Sequence, residues 1–511
     1  ADGGDSPIDL ASHVAPKPSI ARLLSRSRAQ GSAPAALSNS QAPVAGACTA
    51  TRRPMAGDKG AAARVFSVED VARHNTPADC WVIVRGRVYD VTAWAPKHPG
   101  GDLLFVKAGG DCTQLFDSYH PLSARRVLEK YYIGDAAPPP GGWTTYADDL
   151  DDGQFYEVLK SRVYKFMKEN KLDPRWAPAM YVKSFLILAT VAVSFYAAFF
   201  YFTNPLTCLV CAVVNGIAMA EVGVSIQHDA NHGAYASSPA ICHLMGLTLD
   251  VFGGASSFMW KQQHVVGHHA FTNLHDNDPD IRVSEKDVRR VTSFQPWHGY
   301  QKYQHIYLAL LYGLLALKSV LLDDFTALLE GKIGPVKIAK FTARENAEFW
   351  SGKALFAAYF VGLPLLASPH SLAKLALLWL TAEACTGWTL AFMFQVAHVV
   401  PDVKYIKKEA DGTVKLGWAE AQVATSADFS HGSSFWTHLS GGLNYQVVHH
   451  LFPGICHVHY PKIAPVVMQT CKEFGIPYTV YPTFGNALSA HFKHLKNVGS
   501  GVVVPSLATV G

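Results

Sequence analysis

Seven of the chain's 23 histidines fall between positions 228 and 275. His228 and His232 stand at i and i+4, which puts both imidazoles on one face of a helix. His264 and His268 repeat the spacing, with His269 beside the second. Far downstream, Gln446-Val447-Val448-His449-His450 adds two more, and His398 lies between, one turn from Gln395. Imidazole suits iron, zinc or copper. A single pair of this kind is more often a surface or packing feature. The eight histidines 228, 232, 264, 268, 269, 398, 449 and 450, if they converge, are too many for one ion and predict two. All-nitrogen sites that must also do redox chemistry favour iron over zinc.

Convergence requires elements that bring these segments to one side of a membrane. Ser184 to Ala220 carries no charged residue over 37 positions, where one span needs about 20. Thr203-Asn204-Pro205 breaks the run, predicting two antiparallel helices near 181–202 and 205–227. A second hairpin is expected near 349–367 and 373–399, broken at Ser368-Pro369-His370, with Glu383 facing protein. Two weaker runs read as interfacial or re-entrant. One is Ile306–Leu317, 12 residues before Lys318, and the other is 241–260. Four spans keep every histidine cluster on one face. That face is also the basic one: residues 160–183 hold seven Lys and Arg against two acids, the positive-inside pattern.

The composition agrees with burial in lipid. Of 511 residues, 49% are apolar and 16% charged, and the net charge is +4. This excludes a disordered chain and gives no reason to expect a nucleic-acid partner. Nine scattered cysteines make neither a disulfide framework nor a zinc pattern. Residues 1–57 are acid-poor after Asp9 and rich in Arg, Ser, Ala and Pro, which predicts a disordered tail or a transit peptide. On that basis a plastid membrane is expected, with the endoplasmic reticulum as the alternative. Ala136 to Gly142 reads as a stiff linker. The expected units are 1–57, a compact α+β domain at 62–135, a linker at 136–154, an all-α membrane domain at 155–490 and a C-terminal tail at 491–511.

The 62–135 unit carries its own histidine pair. Trp81–Val91 looks like a β-hairpin. His98-Pro99-Gly100-Gly101 precedes a helical stretch, and His120 follows 22 residues after His98. Two imidazoles approaching one haem iron from both sides leave no position for oxygen, which suits electron transfer. With Trp81, Tyr89-Asp90-Val91-Thr92 and Tyr132-Ile133-Gly134, this stretch resembles the cytochrome b5 family. The resemblance implies haem b with His98 and His120 as axial ligands.

The membrane unit resembles the fatty acid desaturase superfamily over about residues 155–490. The motifs are Gln227-His228-Asp229-Ala230-Asn231-His232, Gln263-His264-Val265-Val266-Gly267-His268-His269 and Gln446-Val447-Val448-His449-His450. Glutamine at 446, together with an N-terminal b5 unit, resembles the front-end desaturases. These insert a double bond between an existing one and the carboxyl end of an acyl chain. The resemblance implies two non-haem irons on His228, His232, His264, His268, His269, His449 and His450, with His398 as an eighth ligand. It implies that Gln446 orients a ligand or a metal-bound water. It also implies O2 as co-substrate, an acyl-lipid or polyunsaturated fatty acyl substrate, and a donor that is cytochrome b5 reductase-like or its plastid equivalent. Asp276-Asn277-Asp278-Pro279-Asp280 resembles the algal Δ4/Δ5 group and tilts the expectation to Δ4. Competing expectations are a membrane di-iron fatty acyl or sphingolipid hydroxylase, and a non-enzymatic His-rich metal transporter. The transporter would need several ionisable groups deep in the spans, and only Glu383 qualifies.

Overall fold

The structure, a computed structural model, describes residues 64–147, 154–281 and 287–501. The expected tail or transit peptide at 1–57 lies outside them.

The first unit is a five-stranded sheet in the order β1-β5-β4-β3-β2. The strands are β1 (Val65–Phe66), β2 (Asn75–Thr76), β3 (Asp79–Val84), β4 (Arg87–Asp90) and β5 (Tyr132–Ala136). The expected hairpin is β3–β4, closed at Arg85 and Gly86 with φ of 54° and 70°. Two positive φ values in a two-residue turn match the twist of the strands it joins. β1 returns parallel to β5 and ties the domain's two ends together. A short helix, α1 (Thr113–Tyr119), ends on His120.

The linker expected at 136–154 is not a free spacer. Thr145 and Tyr146 pair in parallel with Thr413 and Val414 of the membrane unit. Tyr146 is buried and donates its hydroxyl to Ala270 O. Helix α2 (Gln154–Glu169) follows, and Lys160 on it reaches the carbonyls of Asp117 and His120 at the end of α1. An ammonium there satisfies acceptors that a helix C-terminus leaves open.

The first apolar hairpin is α3 (Pro178–Tyr201) and α4 (Pro205–Asn231). Asn204 caps α4 by accepting from Thr207 N, and Pro205 takes the first helical position. The second is α8 (Ala343–Ala367) and α9 (Leu372–His398), with Ser371 as the α9 cap. α4 and α9 touch backbone to backbone. A Cβ at Gly216 would collide with Ala382 O, and Thr386 donates to Gly216 O across the contact. Glu383 is buried against protein, as expected.

Between these hairpins the sequence expectation needs correction. Among the described residues five helices are long and apolar enough to cross a membrane, and a sixth candidate is a bent pair. The fifth helix is α7 (Gly299–Glu330), 32 residues long. The run Ile306–Leu317 is only its middle, because Lys318 pairs with Asp323 at 2.5 Å and the helix continues past the charge. Near its start Gln304 donates to Leu495 O; near its end Asp324 accepts from Ser256 N and pairs with Lys353 of α8, and nine residues beyond it Ala339 N donates to Gln262. The bent pair is α5 (Pro239–Gly253) and α6 (Ser257–Phe271), folded by 115° at Gly254. Its first residue packs on Gly101 of the haem-type domain, and its last turn carries His268 and His269.

Helices α10 (Gln446–Leu451), α11 (Tyr460–Glu473) and α12 (Phe484–Gly499) cover the histidine layer. α12 crosses the boundary expected at 490. His491, His494, Leu495 and Val498 are buried on its inner face, so the chain is still core through that turn.

Candidate metal centres

All nine residues singled out in the membrane unit meet in one buried layer. Ring nitrogens of His228, His232, His264 and His449 lie within 4.8 Å of one another. Those of His268, His398 and His450 form a second such group. His269 lies between the groups: its ring is 4.6 Å from His232, 4.6 Å from His449 and 4.5 Å from His450. Its Nε2 is 3.1 Å from His264 Nε2. Gln446, one turn before His450, places its amide nitrogen 2.9 Å from His398 Nε2 and 3.1 Å from His450 Nε2.

Local backbone explains the odd spacing of the middle motif. The end of α4 (Val222–Gln227) and the stretch Lys261–His268 are wound in wide i→i+5 turns. Such turns interrupt α-helices mostly at functional sites. In the second one, His264 and His269, five apart, face each other, and His268 turns toward the second group.

Neighbouring acceptors set the tautomers. His398 Nδ1 lies 3.0 Å from Thr425 O, which can only accept, so Nδ1 carries the proton and Nε2 is unprotonated. His450 Nδ1 faces Gln422 Oε1 at 2.8 Å, an oxygen that also accepts from Thr272. His268 Nδ1 faces the Asp278 carboxylate at 3.1 Å. His398 and His450 therefore turn unprotonated Nε2 atoms into the second group, while against burial the Asp278 and Asp280 carboxylates raise His268 to about 9, so a cation there would take the place of its second proton. In the first group, His232 Nδ1 meets Tyr119 Oη at 2.5 Å and His449 Nδ1 meets Tyr460 Oη at 3.1 Å. Nε2 of His232, Nε2 of His449 and both nitrogens of His228 are buried with no hydrogen-bond partner. Each such orphan costs about 1–3 kcal/mol if left unmet. Burial first, then the crowd of like imidazoles, holds His232, His449 and His450 far below the ordinary histidine range. These neutral rings with free lone pairs, together with His268 once it gives up a proton, fit two metal ions.

Sequence reasoning missed the residues that hold these ligands. Asp278 fixes His268, and Asp280 lies 3.9 Å from His264 Nδ1. Asp229 binds His457 at 2.8 Å. The acidic run 276–280 stood out in the sequence, but its spacing gives no partner. For Tyr119, Gln422 and His457 there was no local signal.

His98 and His120 face each other across the other cavity, ring centroids 5.8 Å apart. His120 Nδ1 donates to Phe116 O at 2.9 Å, which leaves Nε2 directed at His98's side. Burial pushes His120 down to about 4. A Cβ at Gly100 would lie 2.8 Å from the His98 ring, so only glycine allows that imidazole over the turn. The cavity has a volume of about 690 Å³ and a largely apolar lining including Val82, Leu104, Phe116 and Leu128. Its remaining wall comes from the membrane unit and includes His232, Asn231 and Lys261. The residues fit a flat, bis-imidazole-ligated cofactor.

This combination defines an electron-carrier domain docked on a membrane oxidase with two histidine centres. Residues 67–137 match the family "Cytochrome b5-like Heme/Steroid binding domain", and residues 203–482 match "Fatty acid desaturase". An acyl-lipid (8-3)-desaturase of Physcomitrium patens is 55% identical over 85% of this chain and 91% of its own length. A Delta(5) fatty acid desaturase A of Dictyostelium discoideum is 37% identical over 85% and 94%. An acyl-lipid (8-3)-desaturase of Mortierella alpina is 36% identical over 87% and 99%. The chain belongs to the fatty acid desaturase family, in its cytochrome b5-fused front-end branch, and is an oxidoreductase.

Proposed function

We propose that the enzyme inserts a double bond at Δ5 of a polyunsaturated acyl-lipid, on the carboxyl side of an existing one. The observation that carries the chemistry is the pair of histidine groups with inward, unprotonated nitrogens. The relatives' names support Δ5. The Δ4 expectation rested on Asp276–Asp280, and that run has a nearer use, since Asp278 and Asp280 support His268 and His264. Δ4 therefore stands second.

His228, His232, His264 and His449 would hold one iron, and His268, His398 and His450 the other, with His269 between them. Gln446 is assigned the role of an amide that orients ligands or water. Two irons there, with O2 and electrons delivered singly, supply an oxidant able to attack unactivated C–H bonds, which no side-chain acid or base does. The chain's own residues hold the imidazoles other than His268 neutral, fix their tautomers and keep bulk water out. His98 and His120 would hold haem b. Tyr119, next to His120 in sequence, contacts His232 and so joins the two centres. The donor is a cytochrome b5 reductase-like protein or its plastid equivalent.

For the membrane arrangement we infer four crossing helices, α3, α4, α8 and α9. In this arrangement α7 lies along the interface, so that the histidine segments before and after it share one face, and α5–α6 enters and returns. The deciding experiment is expression of the full chain in yeast fed defined polyunsaturated fatty acids. New double bonds are located by mass spectrometry. A Δ5 product supports the reading, a Δ4 product replaces it with the second, and an oxygen-bearing product makes the enzyme a hydroxylase.

A further inference from the structure

The haem-type cavity is built by two domains, and its charged wall comes from the membrane unit. Three cations of that unit line it: Arg175, Lys261 and Arg344. Arg344 is committed to Asp102 at 3.2 Å and Glu348 at 2.8 Å. Arg175 has no carboxylate within ion-pair distance among the described residues, only Pro99 O at 3.4 Å. Lys261 has no side-chain partner among them at all, although it lies at the seam where Gln262 donates to Val106 O. Carboxylates of Glu345, Asp250, Glu348 and Asp102 act on Lys261 from nearby, yet none closes an ion pair with it. The haem-domain half of the lining is mostly apolar, and its own cation, Lys107, lies near Asp111. A haem has two carboxylates on one edge. A haem held by His98 and His120 among Val82, Leu104 and Phe116 would find Arg175 and Lys261 among the cations of the lining. Arg175 lines the cavity beside the His98 turn, its guanidinium 3.4 Å from Pro99 O, and is placed to meet that charged edge.

We propose that Arg175 and Lys261 of the desaturase domain bind the haem carboxylates, so that the cofactor of one domain is held in part by the other. This rests on the haem reading of His98 and His120. The two cations offset the carboxylate charge, fix the ring in one orientation and favour reduced iron, which carries one positive charge fewer than oxidised iron.

The test uses the full-length holoprotein and Arg175→Gln, Lys261→Gln and the conservative Arg175→Lys. Haem transfer to excess apomyoglobin and the haem midpoint potential are measured. Each Gln variant should lose haem at least about threefold faster, the scale of a partly exposed ion pair, and its potential should shift negative. Arg175→Lys should stay close to wild type. Arg162→Gln, which removes a cation outside the cavity paired with Glu473 at 2.7 Å, should change neither quantity. Reconstitution with haem dimethyl ester, whose carboxylates are masked, should erase the difference between wild type and the Gln variants. Unchanged loss rates and potentials in both Gln variants would overturn the proposal. So would a difference that persists with the dimethyl ester. A wild-type protein without reduced-haem bands would instead reject the haem reading itself, and the proposal with it.

Discussion

At the scale of single residues, ligands and their supports differ in how they could be found. The eight histidines and Gln446 stand out because helical spacing puts them on shared faces beside apolar runs. Their supports come from other elements, and distance along the chain hides them. Tyr119 contacts His232 across 113 positions, which no local pattern encodes. Tyr119→Phe removes only the hydroxyl. We expect intact haem bands but a desaturation rate reduced about 10-fold, the usual scale for losing a ligand's supporting bond. Stopped-flow reoxidation of pre-reduced haem should slow in parallel; an unchanged rate would deny Tyr119 any part in coupling. Asp278→Asn should weaken metal binding at the second group about 10- to 100-fold. Iron analysis of the purified variant would then give about one non-haem iron where wild type gives two.

Among the elements, the hairpins α3–α4 and α8–α9 were legible because Asn204-Pro205 and Ser368-Pro369 punctuate them. The extent of α7 was not, because Lys318 ends the apolar run while its pairing with Asp323 lets the helix continue. The wide turns under both histidine motifs were equally hidden, since a 3.6-residue period assumes regular winding. The α4–α9 contact allows a sharp check. Gly216→Leu has no space beside Ala382 and must push the helices apart, at a cost of about 1–3 kcal/mol. A lower melting temperature and faster iron loss should follow. α12 allows a pH check. Burial holds His494 at about 4, and its Nε2 lies 2.7 Å from Val291 O. In the unfolded chain an ordinary histidine titrates at about 6.5. Between those values the unfolded state binds more protons, so stability falls as pH falls from about 6.5 to 4. His494→Gln should flatten that part of a plot of melting temperature against pH; an equally steep plot would assign the slope elsewhere.

For the whole molecule, the two-domain order was legible from His98-Pro99-Gly100-Gly101 and the charge-free run 184–220. Their docking was not, because Gly101 on Pro239 and Lys160 on the end of α1 join surfaces far apart in sequence. The four-span arrangement predicts labelling of single cysteines in a background lacking the native ones. Lys302 and Lys332, exposed near the two ends of α7, should react from the haem-domain side, and Ser371 only from the other. Labelling of 302 and 332 from opposite faces would make α7 a span and break the shared metal layer. Residues 1–57 should carry a reporter to plastids; delivery to the endoplasmic reticulum would favour the alternative. The pairing of Thr145–Tyr146 with Thr413–Val414 has a logistical consequence. Only residues 137–144 separate that stitch from the last strand of the haem domain. Fully extended, eight residues reach about 26–29 Å. A leash of that length does not let the carrier commute to a remote donor and back. A donor of the kind proposed would therefore have to do the travelling itself and come to a docked recipient.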